Sequence, residues 1–291
     1  MRIFQRNLHY YFNNIRVADW SAYFGMAFLG FGGRIGISSL SYFVHDGLKF
    51  AITIVLYLAF TFSINNCFDV SCDLQQDQKL KKNPIATGLV GFREGLAQSL
   101  SLAFIGIALA YSWFGVVHFV LYSILVFLGG AYSAPPLRFK SIPLVDLVSH
   151  GLFFGALLYI YGASVAEILS AQTMIVGASI FIYSITLELR NHLHDFQADS
   201  ISETRTTVCW IGYAKAKRLL HFLLLIHWAL LAMISYSIGY GYLVIALGIL
   251  VAAQKLLFKS ERYLRLTDLC TCATYVLGSA PYLARFLLGG G

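Results

Sequence analysis

Two stretches of the chain repeat one polar spacing: Asn65-Asn66-x-x-Asp69-x-x-x-Asp73 and Asn191-His192-x-x-Asp195-x-x-x-Asp199. At 3.6 residues per turn, positions i, i+4 and i+8 fall on one helix face a turn apart, so each stretch aims a column of oxygen donors in one direction. Oxygen-only donors suit a hard divalent cation such as Mg²⁺, which takes a few carboxylates together with phosphate oxygens. Half of the chain's fourteen acids lie in two windows, Asp69 to Asp77 and Glu188 to Glu203, a concentration that scattered solvent-facing helix ends do not produce. Acidic columns among many lysines and arginines make chemical sense as the holder of a polyanion, because metal and cations together neutralise a transferring phosphate group. The chain has no GxxxxGK[ST] segment, so a nucleotide held by a P-loop is not the polyanion.

The elements that position these columns are membrane helices. The chain is 58% hydrophobic and 12% charged, with mean hydropathy +0.70, whereas soluble domains are about a quarter charged. A single soluble domain of this composition would expose too much apolar surface. Met1 to Asn14 is polar, aromatic and basic, so no cleavable leader is expected. Cys67, Cys72, Cys209, Cys270 and Cys272 form no CxxC pair and have no histidine at zinc spacing, and their odd number excludes a complete disulfide set.

Apolar runs of membrane length are expected near Ala18–Ile37, Phe50–Asn65, Gly95–Trp113, Val116–Tyr132, Val145–Ala166, Met174–Leu189, Leu219–Ser237, Tyr242–Leu257 and Leu269–Leu288. With the N-terminus inside, nine spans leave only Arg34, Lys49 and Arg285 of the 21 basic residues on the outer side, the bias of cytoplasmic loops. The same bias explains the net charge of +7 without a nucleic-acid partner. Both acidic columns end spans that finish on the cytoplasmic side, so they converge on one mouth of the bundle. A diphosphate clamp there, over a lipid-embedded cavity, suits an isoprenoid diphosphate with its head at the metals and its tail among the helices. The expectation is a multi-pass protein of the cell membrane with its site facing the cytoplasm.

Four blocks in order then make the chain resemble the UbiA superfamily of intramembrane prenyltransferases over essentially its whole length, residues 1–291 as one domain. They are the Asn65, Asp69, Asp73 column; the Lys82-Asn83-Pro84-Ile85-Ala86-Thr87-Gly88 turn; Tyr132-Ser133-Ala134-Pro135-Pro136-Leu137-Arg138-Phe139-Lys140; and the Asp195, Asp199 column followed by Thr204-Arg205-Thr206-Thr207. The resemblance implies an all-α membrane protein: nine transmembrane helices around a central cavity, with cytoplasmic cap loops at about 65–94 and 190–217. It implies Mg²⁺-dependent ionisation of a prenyl diphosphate. Asn65, Asp69, Asp73, Asp195 and Asp199 would hold the metals. Lys140, Arg205, Asn191 and Arg16 or Lys82 would hold the diphosphate, and Tyr132 would face the allylic cation, where a ring stabilises positive charge.

The chain departs from the family at Asn66 and His192, where many members carry Asp, and at Asn83, where Arg is usual. These departures point to a less acidic site, with a neighbouring lysine doing the arginine's job. His192 admits two readings, a polar helix-end residue or a base for the acceptor. Glu188 and Arg190 read as a structural pair. The acceptor is lipophilic, with an aromatic quinone precursor favoured because it is commonest in the family. An isoprenyl glycerol phosphate, a carotenoid-like isoprenoid, a membrane terpene cyclase and a non-catalytic isoprenoid carrier are the alternatives.

Overall fold

The computed structural model describes residues 2–33, 39–201, 205–237, 241–258 and 262–287, and among them helices are joined by turns and short irregular segments, with no strand. In chain order the helices are α1 (Arg2–Asn14), α2 (Ser21–Gly32), α3 (Leu40–Phe68), α4 (Val70–Asp73), α5 (Asp77–Leu80), α6 (Phe92–Phe114), α7 (Val116–Ser133), α8 (Val145–Gly151), α9 (Leu157–Val165), α10 (Ala171–Ile201), α11 (Thr207–Ile211), α12 (Tyr213–Ser237), α13 (Gly241–Phe258) and α14 (Arg262–Leu287). Six helical runs are long and apolar enough to cross a membrane: Val44–Phe68, Phe92–Phe114, Val116–Ser133, Val145–Val165, Ala171–Gln197 and Tyr213–Ser237.

Length and hydropathy thus mark six spans among the described residues and leave the expected count of nine unconfirmed. The other three fall on helices that run into, or carry, residues outside that description. The helix α2 has 12 residues, and the remainder of its expected span lies outside the described residues. The helix α13 has 18 residues, Gly241–Phe258, and α14 opens on Arg262, Arg265 and Asp268. The expected cap loops are also largely helical. Residues 65–94 contain α4, α5 and a turn centred on Asn83, while α10 carries on to Ile201 and α11 follows.

Local sequence explains the boundaries. Gly115, at φ 87°, supplies the sharp reversal between α6 and α7, and α7 stops at Ser133 because Pro135 and Pro136 follow. Between α8 and α9 the helix widens into one π-turn, Leu152–Ala156. That turn changes which carbonyls are satisfied within the helix, and the Phe153 carbonyl accepts the hydroxyl of fully buried Tyr57 at 3.0 Å. The core around it holds two more buried tyrosines, Tyr122 bonded to the Thr53 carbonyl and Tyr161 to the Thr53 hydroxyl. Each phenol has a partner, as burial in a medium without water requires.

Two glycines let α2 and α9 cross at backbone distance. A Cβ on Gly30 would lie 2.1 Å from the Tyr159 carbonyl oxygen, and one on Gly162 2.3 Å from the Ala27 carbonyl oxygen. These obstacles are backbone, so they cannot swing aside. Gly162→Ala should destabilise by about 1–3 kcal/mol through overpacking. Gly25→Ala, on the same α2 but with open space around it, should be neutral or slightly stabilising. Apparent melting temperatures in one detergent check this; equal values for the two variants would refute the close crossing.

Candidate functional site

A cavity of about 800 Å³ opens where α3, α4, α7, α8 and α10 meet, and both acidic columns line it. The second column is as expected: α10 runs without interruption through Asn191, Asp195 and Asp199. The first is not one helix. It breaks at Asp69, whose φ of −103° and ψ of 6° lie between α3 and α4. The direction survives the break because Asp69 N–H still bonds the Asn65 carbonyl (3.0 Å) and Asp73 N–H the Asp69 carbonyl (2.8 Å). Asn65, Asp69, Asp73, Asp195 and Asp199 thus all face one space.

Each carboxylate whose partners are seen there meets a cation or an amide. Lys140 Nζ donates to Asp69 Oδ1, with Arg138 Nη2 at 3.8 Å from the same oxygen. Lys79 Nζ lies 3.3 Å from Asp195 Oδ2, and His194 Nδ1 2.9 Å from Asp195 Oδ1. Asp73 is buried and takes the side-chain amide of Asn83 at 2.8 Å. Burial pushes the Asp73 carboxyl above the usual carboxylate range against the pull of that bond, and burial raises Asp199 in the same way although His192 opposes it. Arg16 and Lys82 converge on one acid: Arg16 Nε donates to Asp19 Oδ2 at 2.8 Å and Lys82 Nζ to Asp19 Oδ1 at 2.8 Å. The guanidinium of Arg16 also sits 5.4 Å over the Phe62 ring.

The oxygen donors are those a hard divalent cation takes. Among the described residues no three acids, histidines or cysteines stand close enough to hold a metal as they are placed; lysines and arginines stand against Asp69 and Asp195. The donor chemistry of the columns fits Mg²⁺.

Several expectations change. Arg205 is exposed and does not line the cavity, while residues 202–204 of the same block lie outside the described residues; Arg138 from the earlier block lines it instead. Asn66 does not make the mouth less acidic, because it is fully buried and its amide donates to the carbonyl and side chain of Asn14, tying α1 to α3. Asn83 is buried against Asp73, while the more exposed Lys82 reaches Asp19 at the cavity. Glu188 and Arg190 do not pair. Arg190 makes a bidentate contact with Asp268 at 2.7 and 2.9 Å, and Glu188 accepts the Tyr132 hydroxyl at 2.7 Å. Asn191 reaches back to Glu188 Oε2 at 3.2 Å.

Lys79 and Asp19 as cavity residues, the Asp146–His150 pair and the pairing of Glu188 with His192 escaped the reading of the sequence, which named Glu188 and His192 only singly. Asp146-x-x-x-His150 and Glu188-x-x-x-His192 are the signal that was there: ionisable residues one turn apart inside apolar spans.

Asn83 also accepts the amides of Ile85 and Ala86 at 3.0 and 3.1 Å and donates to the Asn66 carbonyl. Asn83→Ala should therefore cost about 1–3 kcal/mol by stranding buried donors and acceptors. Lys82→Ala, which removes an exposed pair, should cost under about 1 kcal/mol. Thermal melts of the two variants decide it; a harmless Asn83→Ala would show that the turn is held elsewhere.

Comparison with known proteins agrees with this geometry. Residues 20–276 match the model of the UbiA prenyltransferase family. A lycopene elongase/hydratase from Haloarcula japonica is 26% identical over 178 residues, 56% of this chain and 55% of that protein, so the match spans about half of that relative's length. A digeranylgeranylglyceryl phosphate synthase from Saccharolobus solfataricus is 22% identical over 265 residues, 84% of this chain and 89% of that one. The solved structure of a UbiA homologue from Archaeoglobus fulgidus bound to GPP and Mg²⁺ superposes with a TM-score of 0.72 at 21% identity, covering 94% of this chain and 99% of the other. At that identity the likeness is one of fold.

Proposed function

The chain belongs to the UbiA prenyltransferase family, and on that premise we propose that it moves a prenyl group from a prenyl diphosphate to an isoprenoid acceptor, with Mg²⁺ as cofactor. The observation that carries this is the single cavity in which two oxygen columns face Lys79, Lys82, Arg16, Arg138 and Lys140. Asp69, Asp73, Asp195 and Asp199, with the side-chain oxygen of Asn65, would hold the metal, which would supply charge neutralisation for a departing diphosphate. Lys140 and Arg138 leave Asp69, and Lys79 leaves Asp195, to bond diphosphate oxygens; Arg16 and Lys82, set by Asp19, close the other side. Tyr132, Phe62 and Phe154 line the same cavity and present rings to the allylic cation. The walls exclude water, which would otherwise capture that cation.

The relatives' names support an isoprenoid acceptor, lycopene-like or an isoprenyl glycerol phosphate, ahead of an aromatic quinone precursor. In the membrane, α2, α13 and α14 complete nine spans with the N-terminus and the cavity mouth on the cytoplasmic side. The lysine and arginine bias of the loops supports that orientation.

The test is purified protein in liposomes with labelled geranyl diphosphate, Mg²⁺ and a panel of lycopene, geranylgeranylglyceryl phosphate and an aromatic quinone precursor. Acceptor-dependent product that a chelator abolishes is the expected result. Cyclised donor without acceptor would replace transfer by cyclisation, and no diphosphate release at all would remove the enzyme reading. Asp69→Ala and Asp195→Ala should each lower turnover by roughly 10²-fold or more. Lys140→Ala and Arg138→Ala should raise the donor KM and lower kcat, because both act on the diphosphate before and during ionisation. Arg205→Ala should change either constant far less than Arg138→Ala; the reverse order would show that the diphosphate sits nearer α11.

A further inference from the structure

Below the two columns lies a second set of ionisable groups that metal and diphosphate do not use. Glu188 precedes Asp195 by two helical turns, about 10 Å deeper along α10 at 1.5 Å per residue. Its carboxylate is buried and faces side chains from several helices. Tyr132 on α7 donates to Oε1 at 2.7 Å, His192 Nε2 lies 3.2 Å from Oε1, and Asn191 donates to Oε2 at 3.2 Å. His150 Nε2 on α8 is 3.5 Å from Oε2, and the Tyr23 ring on α2 packs against His150 with centroids 6.4 Å apart.

His192 is held between two acids. Its Nδ1 is buried without a hydrogen bond, 3.5 Å from Asp146 Oδ2. Asp146 is itself fully buried and fixed by the amides of Thr207 (2.7 Å) and Leu147 (2.8 Å) and the hydroxyl of Thr207. Carboxylates at this depth are costly to desolvate, and apolar side chains would fill the space as stably. Tyr132, His150, Glu188 and His192 all line the cavity that the columns close.

Prenyl transfer needs such a group. The C–O bond of the donor breaks and its electron pair leaves with the diphosphate. An electron pair of the acceptor, from a double bond or a hydroxyl oxygen, then bonds the allylic carbon. The adduct carries one positive charge, and a neutral product forms only when a proton leaves it. We propose that Glu188 takes that proton, with His192 and Asp146 as positioning residues that hold its carboxylate toward the cavity and share the added charge. The proton lies on the Oε1–Nε2 contact until the product leaves and it passes to water through the mouth. This rests on the prenyl-transfer reading above.

The experiment measures diphosphate release, prenylated product and donor KM in parallel, with geranyl diphosphate, Mg²⁺ and whichever panel acceptor the wild type prenylates. Glu188→Gln should keep the donor KM within about twofold and still release diphosphate, yet lose product by roughly 10²–10⁴-fold, the usual worth of a general base. Glu188→Asp should recover part of the product. His192→Gln should lower the ratio of product to diphosphate with KM unchanged, which a merely structural role would not do. Should Glu188→Gln fail to fold in a thermal melt, Glu188→Asp and His192→Gln decide. A wild-type ratio in the folded variants overturns this assignment alone and hands the proton to the departing diphosphate. A wild type that releases no diphosphate overturns the parent reading, and this one with it.

Discussion

An ionised carboxylate at the end of an apolar helix is stable only when a cation or a hydrogen-bond donor is brought to it, and the architecture around the cavity follows from this requirement. Asp69 draws Lys140 and Arg138 from the segment after α7. Asp195 draws Lys79 across from α5, which brings the two columns' surroundings into contact. Asp73 draws Asn83, and Asn83 in turn organises the turn that leads into α6. The caps are shaped by the acids they neutralise, so the site and the local fold are one problem in electrostatics.

The pairs differ in how firmly they are made. At the mouth Lys140–Asp69 is largely covered, but Lys79–Asp195 and Lys82–Asp19 are half-exposed and single-pronged, with Lys79 at 44% and Lys82 at 53% side-chain exposure. Such pairs contribute little stability and exchange partners easily. Deeper in, Asp146 is fully enclosed and takes three donors; outside the cavity, the partly exposed Arg190 and Asp268 lock α10 to α14 through two parallel bonds. A labile outer tier over a fixed inner tier is what a site needs when its ligand is a charged head that must enter and leave.

Much of this was legible in the sequence, and the misses have physical reasons. Helical spacing predicts that Asp195 and Asp199 share a face, and α10 bears it out. Spacing alone does not reveal the break at Asp69, because a single non-helical residue that keeps the hydrogen bonds on both sides leaves the direction unchanged. The Glu188–Arg190 pairing fails on a rule already in the sequence, since residues two apart on a helix point to different sides. Arg138 and Arg205 both sit in basic blocks, and only the loop path separates them: Arg138 adopts a left-handed φ of 38° at the start of the turn carrying Lys140, and no spacing rule encodes that. Tertiary partners such as Asp19 for Lys82, or Asp268 for Arg190, are long-range and leave no local periodicity, whereas the i, i+3 contact of Arg16 with Asp19 was open to a local spacing rule.

The balance of charge at the mouth constrains the order of events. Lys79, Arg138 and Lys140 are already matched to Asp195 and Asp69, and Arg16 and Lys82 to Asp19. A diphosphate arriving alone must pull these cations from their carboxylates and leave several acids bare in a poorly solvated cleft. A metal arriving alone must displace the cations and leave them facing one another. Either half-step separates charge where separation is most costly. On the proposed reading, metal and diphosphate entering together would leave fewer charges unmatched than either alone, so the paired ground state would itself couple donor binding to Mg²⁺.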